Sequence, residues 1–567
     1  MPDIQDPHAT ASTSAHSAKS AGRWGRHGEA PAISADMAEF LAHEVGVAQP
    51  WVESASVTHL DQRTGPVSAS LVDLIARARE IVGAGHVHLD PQLRLRATTG
   101  GSYTDYANLR SGAQVDLPDA VISPADHQQA QQLIEAADAT RIVVVPWGGG
   151  TSVVGGLRLT GPRIALRTDR MQDMFDLDSQ AGLVTVGAGM TGPRLEALLA
   201  PRGFTLGHYP QSWEQATIGG YVATRSAGQA STGFGRAEDM VAGLRVATPR
   251  GEWSIGRAPA SADGPDLTRL MIGSEGRLGV ITEVTLRLRR RPTHQRYEAM
   301  AFPTMAAGIA AFREMAQTGI SADVMRLSDA AETATALRQS APTGALGQAF
   351  ATYLRSRGIT ERHGCLAILG WESTRRTLLG SRRNAAWDVL RGFGAVSLGR
   401  NAGESWRRNR FQAPYLRDAL LDHGYLVETL ETAGTWSQLL PIRDSIHAAL
   451  VHSLSDATTT PYVMTHISHV YETGASLYTT VLAVADQSSP VSQWARAKQD
   501  VTDCIINSGG ALTHHHAVGR DHAPWLASQV GEIGLDVLQA VADQLDPRGI
   551  CNPGVLIPPR APQVPTK

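Results

Sequence analysis

RIVVVPWGGGTSVVGGL, residues 141–157, decides how the rest of the chain is read. A β-branched run stops at Pro146 and gives way to Gly148, Gly149 and Gly150, then Thr151 and Ser152, then Gly155 and Gly156. A strand therefore ends where the backbone bends tightly and packs closely. Bare amides in such a loop suit an anion such as a diphosphate, because glycines keep side chains off the approach and the Thr-Ser pair adds hydroxyl donors. An ordinary strand-to-loop turn has the same local pattern, so the neighbours decide. They are HYPQSWEQATIGGYVATRSAGQASTGFGRAEDMVAGLRVATPRGEW (208–253) and MIGSEGRLGVITEVTLRLRRRP (271–292), two more Gly/Ser/Thr clusters beside apolar β-rich runs. Neither GxGxxG opening a helix nor GxxxxGK[ST] occurs at the first loop, which removes the main support for a Rossmann or P-loop reading.

With 567 residues the chain is long enough for several domains, and 42% hydrophobic and 19% charged residues fit a globular protein. A net charge of -3 leaves no surplus of Lys and Arg to neutralise phosphates, so nucleic acid is not expected as a partner. Cys365, Cys504 and Cys551 lie far apart without a CxxC pair, which argues against a disulfide framework or structural zinc and fits a reducing compartment. No apolar run reaches the roughly 18 to 20 residues that span a bilayer. The start lacks the apolar centre of a secretory signal and the end is VPTK, so a cytoplasmic protein is expected.

Along the chain, residues 1–35 read as a disordered tail with Trp24 as its one anchor, and 36–114 as a small helical region ending in a surface loop over 94–112. AVISPADHQQAQQLIEAADATRIVVVP alternates strand, helix and strand, with Pro124, Asp126 and His127 marking the helix start. GLVTVGAGMTGPRLEALLAPRGF (182–204) repeats that order, so residues 115–292 read as one α+β domain. After Pro292 longer strands alternate with helices in YEAMAFPT, DVMRLSD, GCLAILGWE, GYLVETLETAGTW and SLYTTVLAVA, giving a second domain over 293–522. A helix with apolar Val530, Ile533, Val537, Val541 and Leu545 then closes the chain ahead of DPRGICNPGVLIP, in a final segment over 523–560.

The most unusual local feature is THHHAVGRDH, with His514, His515 and His516 consecutive. Three adjacent imidazoles cannot share one face of a strand or helix, so they make no simple metal face, and no metal is expected. Neutral imidazole offers one donor and one acceptor near physiological pH, which suits a proton relay or polarisation of an oxygen; a solvated polar loop is the alternative.

The three glycine clusters resemble the FAD-binding domain of the vanillyl-alcohol oxidase type, with its two subdomains and an antiparallel-sheet cap. The triplet, the RFQAPYLRD and ETLETAGTW stretches (410–418 and 428–436), GASLYTTVLAV (474–484), DVMRLSD and WGRHGE are similar to segments of the alkyldihydroxyacetonephosphate synthase family. That resemblance implies FAD held without a covalent link by Pro146, Gly148, Gly149, Gly150, Thr151, Ser152 and Gly156, by Pro210, Ser212, Thr217, Gly219 and Gly220, by Thr224, Arg225, Ser226 and Gly228, and by Glu275, Gly276, Gly279, Val280 and Ile281. It implies Tyr478 as the acid/base, His514, His515 and His516 as catalytic partners, and Arg417 and Arg326 on a substrate phosphate. A phenol titrates near pH 10, so the Tyr478 role would ask for neighbouring cations to depress its pKa.

The implied reaction exchanges the acyl group of acyl-dihydroxyacetone phosphate for a fatty alcohol through a flavin N5 adduct, in ether-lipid synthesis. A homodimer with peripheral membrane contact also follows from the resemblance, as does the return of the tail to the flavin domain. The chain departs from the family pattern at Tyr209, Gln211 and Ala216, which replace glutamate, aspartate and serine, at Ala517 for glycine and at Arg520 for lysine. The rival readings are an FAD-linked oxidase or dehydrogenase of a D-2-hydroxy acid, of the lactate or 2-hydroxyglutarate type, and a flavin-binding protein without catalysis. The triplet and the PYLRD segment count against the first.

Overall fold

The computed structural model of the protein describes residues 20–25, 28–51, 68–256, 258–340, 344–360 and 362–559. Residues 1–19 of the expected tail lie outside the described residues. Three sheets carry the architecture, and the first holds the glycine loop. It consists of β1 (Val87–His88), β2 (Ala120–Ile122), β3 (Val143–Trp147) and β4 (Arg163–Arg167) in the order β1-β2-β4-β3, with β4 parallel to both β2 and β3. The helix His127–Thr140 links β2 to β3 and starts where the spacing places it, because the Asp126 carboxylate accepts from the Gln129 amide.

β5 (Met174–Asp178), β6 (Leu183–Gly187), β8 (Val241–Thr248), β9 (Gly251–Ile255) and β10 (Val280–Arg287) form the antiparallel second sheet, in the order β5-β6-β10-β8-β9; β7 (Phe204–Thr205) and β11 (Arg289–Arg290) pair beside it. The third sheet is fully antiparallel: β12 (His294–Phe302), β13 (Val324–Ser328), β14 (Cys365–Ser373), β15 (Val396–Gly399), β16 (Tyr425–Thr435), β17 (Tyr462–Val470) and β18 (Gly474–Val484), ordered β15-β12-β14-β13-β17-β18-β16. This is the α+β layout expected, two lobes and an antiparallel cap.

Alternation along the cap strands sorts their side chains. Met325, Leu327, Leu426, Leu430, Ile467, Leu477 and Val481 join the core made with the helices Met305–Gln317, Arg376–Gly392, Leu439–Leu454 and Pro490–Asn507. The intervening residues of β13, β16, β17 and β18 face the opposite way, toward the flavin lobes, and carry the polar groups described below. β15 and β17 were not among the strands read from sequence.

The segment 36–114 is not one region. The helix Ala35–Glu44 packs Phe40 and Leu41 on Tyr425, Val427 and Leu482 of the cap, whereas Ala69–Val82 buries Leu71, Leu74, Ala78 and Val82 against the first sheet. The surface loop expected over 94–112 is corrected as well. Residues Tyr103–Arg110 form a helix closed by a reciprocal Ser102–Asp105 capping box, and Tyr103 and Tyr106 are fully buried in the cap core. The two tyrosines supply an apolar face that too few aliphatic residues signalled. The tail does return to the flavin lobe: the Val144 amide donates to the Ile550 carbonyl at 2.8 Å, and the Asn552 amide to the Val144 carbonyl at 3.0 Å. The closing helix Leu526–Leu545 breaks at Gly531, and it leaves Ile533 81% and Val537 56% exposed, so those apolar positions are not its packed face. Leu535, Leu538, Val541 and Leu545 provide that face.

Candidate functional site

β16, β18 and β17 place Glu431, Tyr478 and His466 side by side, because Tyr478 is registered opposite both of the others. The ladder slips between Ile467 and Val470, so His469 turns to the same side as His466, three residues away. The loop after the helix Pro490–Asn507 lays His514, His515 and His516 on this face. Tyr478 stacks on His466 at 4.9 Å between ring centroids and on His515 at 5.9 Å, and it meets His516 edge-on at 5.7 Å. His469 stacks on His514 at 5.1 Å.

Glu431 holds the triplet. Its carboxylate accepts from the amides of His514 (2.6 Å), His515 (3.1 Å) and His516 (2.8 Å) and from the Thr513 hydroxyl (2.5 Å). Burial disfavours its ionised form, but the three imidazoles and the Thr513 hydroxyl outweigh that and hold its pKa well below the usual carboxylate range. Burial also lowers His514, His515 and His516 to about 4 each, against the pull of Glu431, so all three are neutral at pH 7. His514 Nδ1 and His515 Nδ1 lie 2.9 Å apart, so one donates and the other accepts, while His514 Nε2 meets the Tyr471 hydroxyl at 2.6 Å. The depressed pKa that an acid/base role would ask of Tyr478 is not found: burial raises it, and the Thr429 hydroxyl and Arg417 only moderate the rise.

The two arginines differ. Arg326 donates to His466 Nε2 at 2.8 Å and pairs with Glu332 at 2.5 Å, while His466 Nδ1 donates to Glu332 at 3.1 Å, so guanidinium and carboxylate together position the ring that stacks on Tyr478. Arg417, from the helix Ala413–Asp422, donates to the Gly101 and Val427 carbonyls and lies 3.6 Å from Glu428. Nη2, the nitrogen that faces Glu428, is buried and makes no hydrogen bond, which leaves its N–H groups able to donate to an anion. Asp329 and Asp418, the neighbours in sequence, go elsewhere, to Arg443 and to the Trp24 and Gly25 amides.

The glycine clusters close on one another. A Cβ at Gly148 would sit 2.5 Å from Thr217 Oγ1, one at Gly149 2.2 Å from the Gln215 carbonyl, one at Gly219 2.7 Å from the Ala188 Cβ and one at Gly276 2.8 Å from Pro146. These glycines therefore serve loop-on-loop packing as well as ligand approach. Pro210 and Ser212 belong to the turn whose Ser212 carbonyl accepts from Gln215 and Ala216. Among the described residues the amides of Gly148, Gly149 and Thr151 donate to no protein acceptor, so the cradle fits an anionic diphosphate.

Other residues expected at the cofactor have partners within the protein. Arg225 pairs with Glu238 on the surface, Ser226 is tied to His208 Nε2 at 2.7 Å, a Cβ on Gly228 would strike the Tyr209 amide, and Val280 and Ile281 bury their side chains in the core. The Thr224 hydroxyl donates to the Gly220 carbonyl, and the Gly156 amide to Ser152 Oγ. Gly279 sits at φ 127, and a Cβ there would lie 2.7 Å from the Ala247 carbonyl, so glycine is the residue that fits.

One turn joins cap site to cradle. The Val518 and Gly519 amides donate to Glu275 at 2.9 to 3.0 Å, the Arg520 amide to the Val154 carbonyl at 3.0 Å, and the Arg520 guanidinium to the Gly155 and Gly156 carbonyls. Burial pushes the Glu275 carboxyl up to about 7, with these amides working against it. Ala517 adopts φ 76 at the head of this turn, the conformation that explains the glycine of the family pattern there. Of the site, sequence reasoning missed Glu431, His466, His469, Tyr471 and Glu332; the only signal for the two histidines was their spacing in YVMTHISHV, which a bulge makes productive.

Comparison with known proteins agrees with this geometry. The family described as FAD binding domain matches residues 118–255, and that described as FAD linked oxidases, C-terminal domain matches residues 291–556. Alkyldihydroxyacetonephosphate synthase from Dictyostelium discoideum is 30% identical over 83% of this chain and 78% of its own length, and that from Trypanosoma brucei brucei is 30% identical over 85% and 80%. A solved structure of an alkyldihydroxyacetonephosphate synthase superposes with a TM-score of 0.77 at 26% identity, covering 91% of each chain. The glycine cradle, the seven-stranded cap and the histidine cluster on its inner face thus belong to a chain that is a member of the alkyldihydroxyacetonephosphate synthase family of FAD-dependent enzymes.

Proposed function

We propose that the protein exchanges the acyl group of acyl-dihydroxyacetone phosphate for a fatty alcohol, forming the ether-linked lipid precursor. The observation that carries this is the convergence of five histidines and Tyr478 on the cap face joined by one turn to the FAD cradle. When bound, FAD supplies a ring able to accept and return an electron pair within one turnover. The protein's part is to handle protons and hold the substrate. The alcohol O–H breaks, an ether C–O bond forms, the bond from carbon to the acyloxy oxygen breaks, and the proton leaves with the carboxylate.

Of the two neutral imidazoles beside the Tyr478 ring, His515 stacked on it and His516 edge-on to it, one accepts the alcohol proton; the neutral phenol donates a hydrogen bond to the reacting oxygen. Arg417 offers to the phosphate its Nη2, which makes no hydrogen bond and lies 3.6 Å from Glu428, and Arg326 acts on Tyr478 through His466. A cytoplasmic setting, a homodimer and peripheral contact with the membrane that stores the fatty substrates complete this reading; the unpaired Cys365, Cys504 and Cys551 support the reducing compartment.

The test is to incubate the FAD-loaded protein with palmitoyl-dihydroxyacetone phosphate and hexadecanol and to look for the ether product. Its formation is expected; absence of ether together with flavin bleaching by a D-2-hydroxy acid would replace this reading with the dehydrogenase one.

A further inference from the structure

The expectation of no metal rested on the triplet alone, and β17 changes the count. His469 brings a third imidazole against His514 and His515, and one ring nitrogen from each lies within 4.8 Å of the other two. His469 Nδ1 is buried with no hydrogen-bond partner. His514 Nδ1 and His515 Nδ1 are 2.9 Å apart. Tetrahedral zinc, with bonds of 2.0 to 2.1 Å to imidazole, needs its nitrogens about 3.3 Å apart, so the His514–His515 pair has to open slightly and His469 to close in from within 4.8 Å.

The surroundings are those of a histidine metal site. The second nitrogen of His514 meets the Tyr471 hydroxyl at 2.6 Å, a partner outside the cluster that orients the ring with Nδ1 toward His515. The Glu431 carboxylate lies 3.5 Å from His515 Nδ1 and supplies negative charge beside the cation.

We propose that His469, His514 and His515 form a binding site for a first-row divalent cation, zinc above all, and that its occupation blocks turnover by taking the lone pairs of His514 and His515. The inhibition rests on the reaction proposed above; the binding does not.

The experiment is calorimetric titration of chelator-stripped, FAD-loaded protein with zinc chloride, repeated with His469→Ala and His469→Gln after circular dichroism confirms that they fold. One zinc per chain is expected at micromolar affinity, weakened at least tenfold in both variants, and cobalt(II) in its place should give the intense visible bands of a tetrahedral site. Absent saturable binding, or equal affinity in the variants, would overturn the site. Saturable binding without loss of ether formation would overturn the inhibitory role alone.

Discussion

Replacing Glu431 with glutamine isolates the interaction that shapes the site. In its better orientation the new amide keeps its carbonyl where Oε1 stands, facing Thr513 Oγ1 and the amides of His515 and His516, and turns its NH2 toward the amide of His514. Three hydrogen bonds lose their charge assistance, about 1 kcal/mol each, and a buried N–H is left facing a donor, at least about 1 kcal/mol more. The loop should therefore be loosened by about 4 kcal/mol. Hydrogen exchange read by mass spectrometry over residues 512–518 is the assay, since local opening scales with that free energy; about a thousandfold faster exchange is expected. The flipped amide would be worse, as it faces three donors. Acceleration below tenfold would refute the argument that the carboxylate holds the triplet. Glu431 is held below the usual carboxylate range, so its contribution is present above pH 4.5 and is lost only as pH falls through its folded value; the exchange rates of the unaltered protein should not change for this reason between pH 6 and pH 8.

Other perturbations follow from the same geometry. His514, His515 and His516 fall from 6.5 to about 4 on burial, so the unfolded chain binds more protons between those values; stability should drop as pH falls from 6.5 toward 4, and His516→Asn should flatten the fall in thermal midpoint. Ala517→Gly relieves a residue held at φ 76 and should stabilise the protein by about 0.5 to 1 kcal/mol in denaturant titration, the gain being reduced by glycine's greater entropy. Gly149→Ala places a methyl group 2.2 Å from the Gln215 carbonyl and should cut the flavin content of the purified protein to a small fraction, measured by absorbance. Arg417→Met should raise KM for the phosphorylated substrate more than tenfold with a smaller change in kcat; an unchanged KM would remove Arg417 from the phosphate.

What sequence reveals here follows the range of the interactions. The glycine loop after β3, the strand–helix–strand order around His127–Thr140 and the returning tail are local patterns or family signatures, and they stand where expected. The buried helix Tyr103–Arg110 escaped because its face is made of tyrosines and its cap is a side-chain exchange between Ser102 and Asp105. His466 and His469 escaped because a strand bulge, invisible in periodicity, aims both at the site. Glu431 escaped because its partners are backbone amides more than 80 residues away. Arg326 was legible as a cation but not as the support of His466, since that partner lies 140 residues on. The closing helix shows the converse error: its repeating Val530, Ile533 and Val537 look like a packed stripe, and a break at Gly531 leaves them outside.

The central claim is that the histidine and tyrosine cluster carries out a redox-neutral exchange beside FAD. It is tested most directly by anaerobic turnover with acyl-dihydroxyacetone phosphate and a fatty alcohol, with no electron acceptor, counting ether formed and fatty acid released while the flavin spectrum is followed. The account expects many turnovers, one fatty acid per ether, and no accumulation of reduced flavin. Turnover that stops after one equivalent with bleached flavin, and resumes only when an acceptor is added, would contradict it.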